Sequence, residues 1–207
     1  MPVITVSRQF GSGGHTLAQI VAEKLGYRFV YEEIIDSLAT KAKISPEAVK
    51  AFESEGINRL KSEGLLSPKR FIDRIFDSER KYMDGPTYVR LLGEIITQLA
   101  EKNDILVLGR GAQFILKDRP DTFHILCVAE KEDRIRFMQK RYNLSQADAE
   151  SAVNRQSKRR MKLLKFFHHE DYDQPYYYDL VLNLSKLSME QAVNLVMKLV
   201  TARKAVA

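Results

Sequence analysis

The chain has one cysteine among its 207 residues, which excludes a disulfide framework. Cys127 lies in the apolar run Phe123 to Val128, where a small core side chain is expected rather than a nucleophile. No apolar stretch is long enough to span a bilayer and the amino terminus has no signal pattern, so the expected setting is a reducing cytoplasm, with no membrane partner. Internal repeats and low-complexity linkers are absent. Histidines number four, and the pair in His168-His169-Glu170-Asp171 has no spaced partner pair to complete a metal site, so it reads as a polar loop. No RNA-recognition motif or interleaved aromatic platform supports a nucleic-acid partner. What remains is an ordinary globular composition, 44% hydrophobic and 29% charged, with a formal charge of +6 that suits an anionic ligand.

The richest segment is Ile4 to Tyr27, ITVSRQFGSGGHTLAQIVAEKLGY. A β-branched run enters a glycine-rich turn, and the turn opens an amphipathic helix carrying Leu17, Ile20, Val21 and Leu25, with Gly26 placed to stop it. Gly11, Gly13 and Gly14 allow positive φ and close approach to an anion, and the first N–H groups of the helix aim unpaired donors at it. The spacing nearly fits G-x-x-x-x-G-K-[ST], with Gly14 as second glycine and Thr16 as hydroxyl, but Gln9 replaces the first glycine and His15 the lysine. A plain connection needs one or two glycines; Gly-Ser-Gly-Gly flanked by Arg8, His15 and Thr16 points to phosphate.

Strand-like runs occur at Val3–Ser7, Tyr27–Val30, Ile105–Leu108, Phe123–Val128 and Leu180–Leu184. Helical periodicity separates most of them: Val89 to Leu99, Glu130 to Tyr142, a long helix that Ser145 can cap, and a last one opened by the capping box Ser188 to Gln191. Such alternation predicts a parallel sheet covered on both faces, with ligands at the carboxyl ends of its strands. Residues 1–207 read as one domain with two insertions. About 40–90 is a polar, helix-rich excursion starting at Ser45-Pro46 and broken at Gly56, Gly64 and Pro68. About 145–175 contains the basic stretch Arg155 to Arg160, which is either a solvated helix face or a closing lid. Tyr176-Tyr177-Tyr178 is expected to pack at the entrance to the last strand, with base stacking as the lesser alternative.

The opening VSRQFGSGG with Leu25-Gly26, the element Val107-Leu108-Gly109-Arg110-Gly111, the segment Ala129 to Arg136 and the closing Tyr178-Asp179-Leu180-Val181-Leu182-Asn183 resemble the cytidylate kinase-like family of phosphate-loop nucleoside monophosphate kinases. The resemblance implies a phosphate-loop NTPase-type fold with helical acceptor-binding and lid insertions. It implies transfer of the γ-phosphoryl group of ATP, with Mg²⁺, to a nucleoside monophosphate, CMP or dCMP first. ATP would lie on Gln9, Gly11, Ser12, Gly13, Gly14, His15 and Thr16, with Thr16 as metal ligand. Arg8, Glu33 and Arg110 would face the acceptor, and Lys158, Arg159, Arg160 and Arg110 would serve catalysis. Arg134 has a weaker case, since a helix-surface salt bridge would explain it as well. Such chemistry asks mainly for positioning and for cations around the transferring group.

The departures are specific. With an unperturbed pKa, His15 would be charged in roughly a quarter of molecules at pH 7. After the second strand, where related kinases often place an aspartate, stand Tyr31, Glu32, Glu33 and Asp36, and Gln156 takes the acidic place of the lid pattern D-x-x-R. Two alternatives to an active kinase therefore stay open, a catalytically weakened ATP-binding regulator and a nucleic-acid binder using the basic stretch.

Overall fold

The β-branched run near the amino terminus becomes the centre of a sheet. The computed structural model describes residues 2–55, 83–102, 104–167 and 172–204. Strands β1 (Val3–Arg8), β2 (Arg28–Val30), β3 (Ile105–Leu108), β4 (Thr122–Val128) and β5 (Leu180–Asn183) pair in the order β2-β3-β1-β4-β5. Every pairing is parallel, and Ile4 stands beside both Leu106 and Phe123. Alternate side chains feed two cores. Ile4, Val6, Leu106 and Leu108 pack with helices α1 (Gly14–Leu25) and α8 (Met189–Lys204), while Val3, Ile105 and Val107 pack with α2 (Glu33–Ala42) and α4 (Gly85–Glu101). Burial on both faces is why these strands read as continuous apolar runs. The expected α/β architecture is the one observed.

The helix signals hold in detail. Gly26, in the left-handed region, ends α1 by donating to the carbonyls of Ala22 and Glu23. α3 (Pro46–Glu55) begins at Ser45-Pro46, with Ser45 Oγ accepting from the Ala48 N–H at 3.1 Å. Ser145 Oγ caps α7 (Gln146–Lys165) by accepting from Asp148 N–H, and Ser188 and Gln191 close a reciprocal box at the start of α8. The sequence did not announce the short α5 (Ala112–Ile115), which follows the Gly-Arg-Gly turn directly. Gly56, Gly64, Pro68 and the stretch His168 to Asp171 lie outside the described residues.

Two further contacts bring the basic helix to the sheet. Ile135 and Met138 of α6 (Lys131–Tyr142) form a cluster with Ala149 and Val153 of α7, and Phe10 from the loop after β1 packs against it. Farther along, Leu163 of α7 packs against the core beneath α2 and α4. The tyrosine run divides: Tyr177 lies edge-on to Phe114, and the Tyr178 hydroxyl donates to the Tyr172 carbonyl, but Tyr176 is exposed.

Candidate active site

The loop after β1 takes the form its glycines predict. Gly11 and Gly13 have φ of 84° and 88°, in the region that only glycine enters without strain. Gly13 is the N-cap of α1 and supplies no side chain to cap it; the Gly14 N–H turns to Ser12 Oγ at 3.4 Å, and the next helical N–H groups are left for a ligand. A Cβ on Gly14 would come within 2.7 Å of the Arg8 Cβ and 2.9 Å of the Cys127 Cβ; the helix can start this close to the sheet only because that atom is missing. Gln9 serves the loop's shape. Its backbone N–H donates to the Cys127 carbonyl, and its side-chain Oε1 accepts from Ala129 N–H at 3.2 Å, tying the loop to the end of β4.

His15 and Thr16 occupy the first turn of α1. The His15 ring stands edge-on to Phe29 and Tyr31, at centroid distances of 5.5 and 5.4 Å. Much of the residue is exposed, yet this aromatic side desolvates the ring, and with the nearby Arg8 charge it lowers the imidazole pKa below its ordinary value. Cys127, buried in β4 as expected, has its thiol pushed up to about 12 by burial, which leaves it inert.

Beside the loop, at the carboxyl ends of β1 and β3, opens a cleft of about 590 Å³. Arg8, Lys50, Arg110, Arg159 and Arg160 line it against Glu32, Asp36 and Glu53, with Ser7 and Tyr31 among the other walls. Arg110 sits in a turn whose three residues, Gly109, Arg110 and Gly111, all have positive φ. Its Nε and Nη2 donate to the two carboxylate oxygens of Glu53 at 2.8 and 3.4 Å, and its Nη1 donates to the Tyr31 carbonyl at 2.6 Å. Tyr88 Oη donates to the same Glu53 oxygen that Arg110 Nε reaches, at 2.8 Å. Burial alone would lower the Arg110 pKa, but the Glu53 charge holds it above the ordinary value.

Arg8 is differently placed. Its guanidinium lies across the β3 end, where a Cβ on Gly109 would collide with it, and over the Tyr31 ring at 5.5 Å. Among the described residues it meets no carboxylate. Burial pushes its pKa down, and the charges of Arg110 and Arg160 push in the same direction. Arg160 is anchored by a two-pronged bond to Asp173, at 2.9 and 2.5 Å, and by a 3.0 Å bond to Ser7 Oγ. Four arginines thus line the cleft: Arg110 and Arg160 have anions of their own, and among the described residues Arg8 and Arg159 have none.

The consecutive cations of α7 diverge, since successive helical residues are rotated by roughly 100°. Arg159 and Arg160 line the cleft, whereas Lys158 lines only an adjoining groove, with Glu150, Arg155 and the shared Arg159. Glu33 pairs with Arg28 and faces away from the cleft wall, which Glu32 and Asp36 form instead. Arg134 is placed more suggestively than a surface salt bridge would place it. It reaches from α6 over the loop to the Phe10 carbonyl and Ser157 Oγ, its Nε is buried without a partner, and burial pushes its pKa down. The sequence reading passed over Glu53, Asp173 and Ser7; their importance arises only from contacts distant in the chain.

The family profile of the cytidylate kinase-like family matches residues 3–186. The chain belongs to that family. A protein named cytidylate kinase from Archaeoglobus fulgidus is 26% identical over 205 residues, covering 97% of this chain and 96% of its own. Among solved structures, an uncharacterised protein from Eubacterium ventriosum superposes with a TM-score of 0.67 at 19% identity, covering 97% of this chain and 99% of its own. A shikimate kinase from Acinetobacter baumannii gives 0.52 at 13% identity, covering 99% and 95%. A gluconokinase from Sinorhizobium meliloti gives 0.53 at 15%, covering 100% and 97%. At these identities the structural likenesses establish the fold alone. Family and fold together support a phosphotransferase of the phosphate-loop kinase type, and no helix among the described residues is long and apolar enough to cross a membrane.

Proposed function

We propose that this cytidylate kinase-like protein transfers the γ-phosphoryl group of ATP to a nucleoside monophosphate, with CMP and dCMP the acceptors to try first. The observation that carries the reading is the unpaired Arg8 in a cleft that opens directly beside the glycine loop. A phosphate monoester presents an ionised oxygen ready to attack, so the protein need not remove a proton from the acceptor. Arg8 orients that oxygen, and Arg159 and Arg160 offset the charge spread over the transferring group as the bond to the ADP oxygen breaks. The loop from Gln9 to Thr16 holds the donor phosphates by backbone N–H groups, with Arg134 above it. Thr16, in the first turn of α1, would hold Mg²⁺ through its hydroxyl, and the ion would neutralise phosphate oxygens. Among the described residues no cluster of three or more His, Cys, Asp or Glu could hold a metal, and phosphate and water would complete the ion's shell.

A coupled ADP-release assay over the common nucleoside monophosphates tests the reading. Stabilisation by ATP with no turnover on any of them would favour the weakened ATP-binding alternative, which the neutral His15 in place of a loop lysine keeps in view. Arg159→Ala should cut kcat by about 10²-fold with the melting temperature unchanged, because no described side chain pairs with Arg159 in the unliganded protein. A mutant that melts early and turns over normally would return Arg159 to the helix surface.

His15 gives a pH signature. Its lowered pKa leaves it neutral near pH 7 in the unliganded protein, so the stability linked to it is complete above the unfolded value of about 6.5 and declines as pH falls through that value. Bound polyphosphate raises the pKa again. ATP affinity should therefore be highest in acid and fall as pH rises through the raised value, after correction for the ionisation of ATP itself. Titrations of wild type, His15→Arg and His15→Ala check this: both variants should lose the dependence, and His15→Arg should bind at least as tightly. Matching pH profiles for wild type and His15→Ala would place the ring's function with Phe29 and Tyr31 instead.

A further inference from the structure

Tyr31 stands at the junction of the donor and acceptor sides, and nothing in the proposed reaction yet uses it. The guanidinium carbons of Arg8 and Arg110 lie 5.5 and 5.2 Å from its ring centroid, and His15 meets the ring edge-on from the phosphate loop. Its backbone carbonyl receives Arg110 Nη1. The two arginines differ in their counter-charge. Arg110 has its counter-charge in Glu53, and Arg8 has none among the described residues.

The chemistry of the residue at this point decides how Arg8 is held. A carboxylate here would pair with Arg8 and occupy its bidentate fork. An aromatic face attracts a guanidinium through its quadrupole and fixes its orientation, but it transfers no charge and accepts none of the in-plane N–H bonds. The ring therefore offsets part of the repulsion between Arg8 and Arg110 while leaving the Arg8 fork and its full charge for a ligand. Glu32 and Asp36, on the same cleft, add negative charge that a weakly anionic ligand would have to overcome.

We infer that Tyr31 is a positioning residue whose ring holds Arg8 un-neutralised, so that the acceptor subsite selects a dianionic phosphate group over a carboxylate or an uncharged sugar. The inference rests on the acceptor reading of the cleft and adds to it the residue that makes the subsite choose a phosphate monoester anchored on Arg8.

The test measures binding of inorganic phosphate, with acetate as the comparison, to the full-length protein by calorimetry near pH 7.5. The binding that disappears in Arg8→Met defines the signal from this subsite and separates it from phosphate on the glycine loop. Tyr31→Phe, which keeps the ring, should bind within about twofold of wild type; Tyr31→Leu should bind roughly tenfold more weakly. Tyr31→Asp, which supplies the internal anion, should bind about 10²-fold more weakly. Wherever an acceptor turns over, these changes should appear in its KM and not in the KM for ATP. Phosphate binding undiminished in Tyr31→Asp, acetate bound as tightly as phosphate, or no Arg8-dependent phosphate signal in wild type would each overturn the inference. If Tyr31→Leu fails to fold, the Phe and Asp variants still decide it. The expected order of phosphate binding without turnover on any nucleoside monophosphate would overturn the kinase reading and leave the subsite standing.

Discussion

Replacing Arg8 with methionine should lower kcat/KM for the acceptor by about 10²-fold or more, since two charge-assisted hydrogen bonds are lost at about 1.5–3 kcal/mol each. The same change should leave the melting temperature of the unliganded protein level or raise it by a few degrees. A structural arginine would behave in the opposite way. Arg8 has its pKa pushed down by burial and by the like charges of Arg110 and Arg160, and it meets no described carboxylate; in the absence of ligand it is a cost to the fold. Methionine keeps an unbranched stem over the Tyr31 ring and removes the charge. Arg8→Lys should recover only part of the activity, because a point charge cannot rebuild a planar fork. Steady-state kinetics together with thermal melts decide the matter: a lower melting temperature with normal kinetics would make Arg8 part of the scaffold.

That combination reflects how the charges in the cleft are arranged, and this arrangement was only half legible in the sequence. The strands could be read because Val3 to Val6, Ile105 to Leu108 and Phe123 to Val128 are mostly apolar on both faces, with Thr5 and His124 the exceptions, a pattern that a buried parallel sheet imposes locally. Helix ends at Gly26, Ser145 and Ser188 were equally legible, since a cap is a property of four or five neighbouring residues. The glycine loop was readable for the same reason. Charge compensation has no such local mark. Glu53 is one of several acids on a polar helix, and its value comes from Arg110, 57 positions away. Asp173 becomes the anchor of Arg160 only through the return of the chain after α7. The basic stretch looked uniform in one dimension, but helical rotation turns Lys158 to a groove, Arg160 to the cleft and Arg159 to both, while Arg134, on α6, lies over the loop.

Glu53→Gln should be among the most destabilising conservative changes in the described residues. The amide keeps the shape and can still accept the Tyr88 hydroxyl, so the variant isolates the charge. The Arg110 side chain is 6% exposed and that of Glu53 18%, and removing one partner of such a pair leaves a desolvated cation without its anion. A loss of about 3 kcal/mol is expected, at the lower end for buried pairs because Glu53 retains some contact with water. For a chain of this size that corresponds to a melting temperature lower by about 10 °C. Adding Arg110→Met should recover most of the loss, since the uncompensated charge is then gone, and a double-mutant cycle on melts gives the coupling directly. Arg8-dependent phosphate binding should persist in Glu53→Gln, or tighten, as the cleft has lost one negative charge. This separates the two arginines experimentally. Arg110 would reveal itself through stability and Arg8 through binding, whereas an unchanged melting temperature in Glu53→Gln would mean that water, and not Glu53, already balances the charge on Arg110.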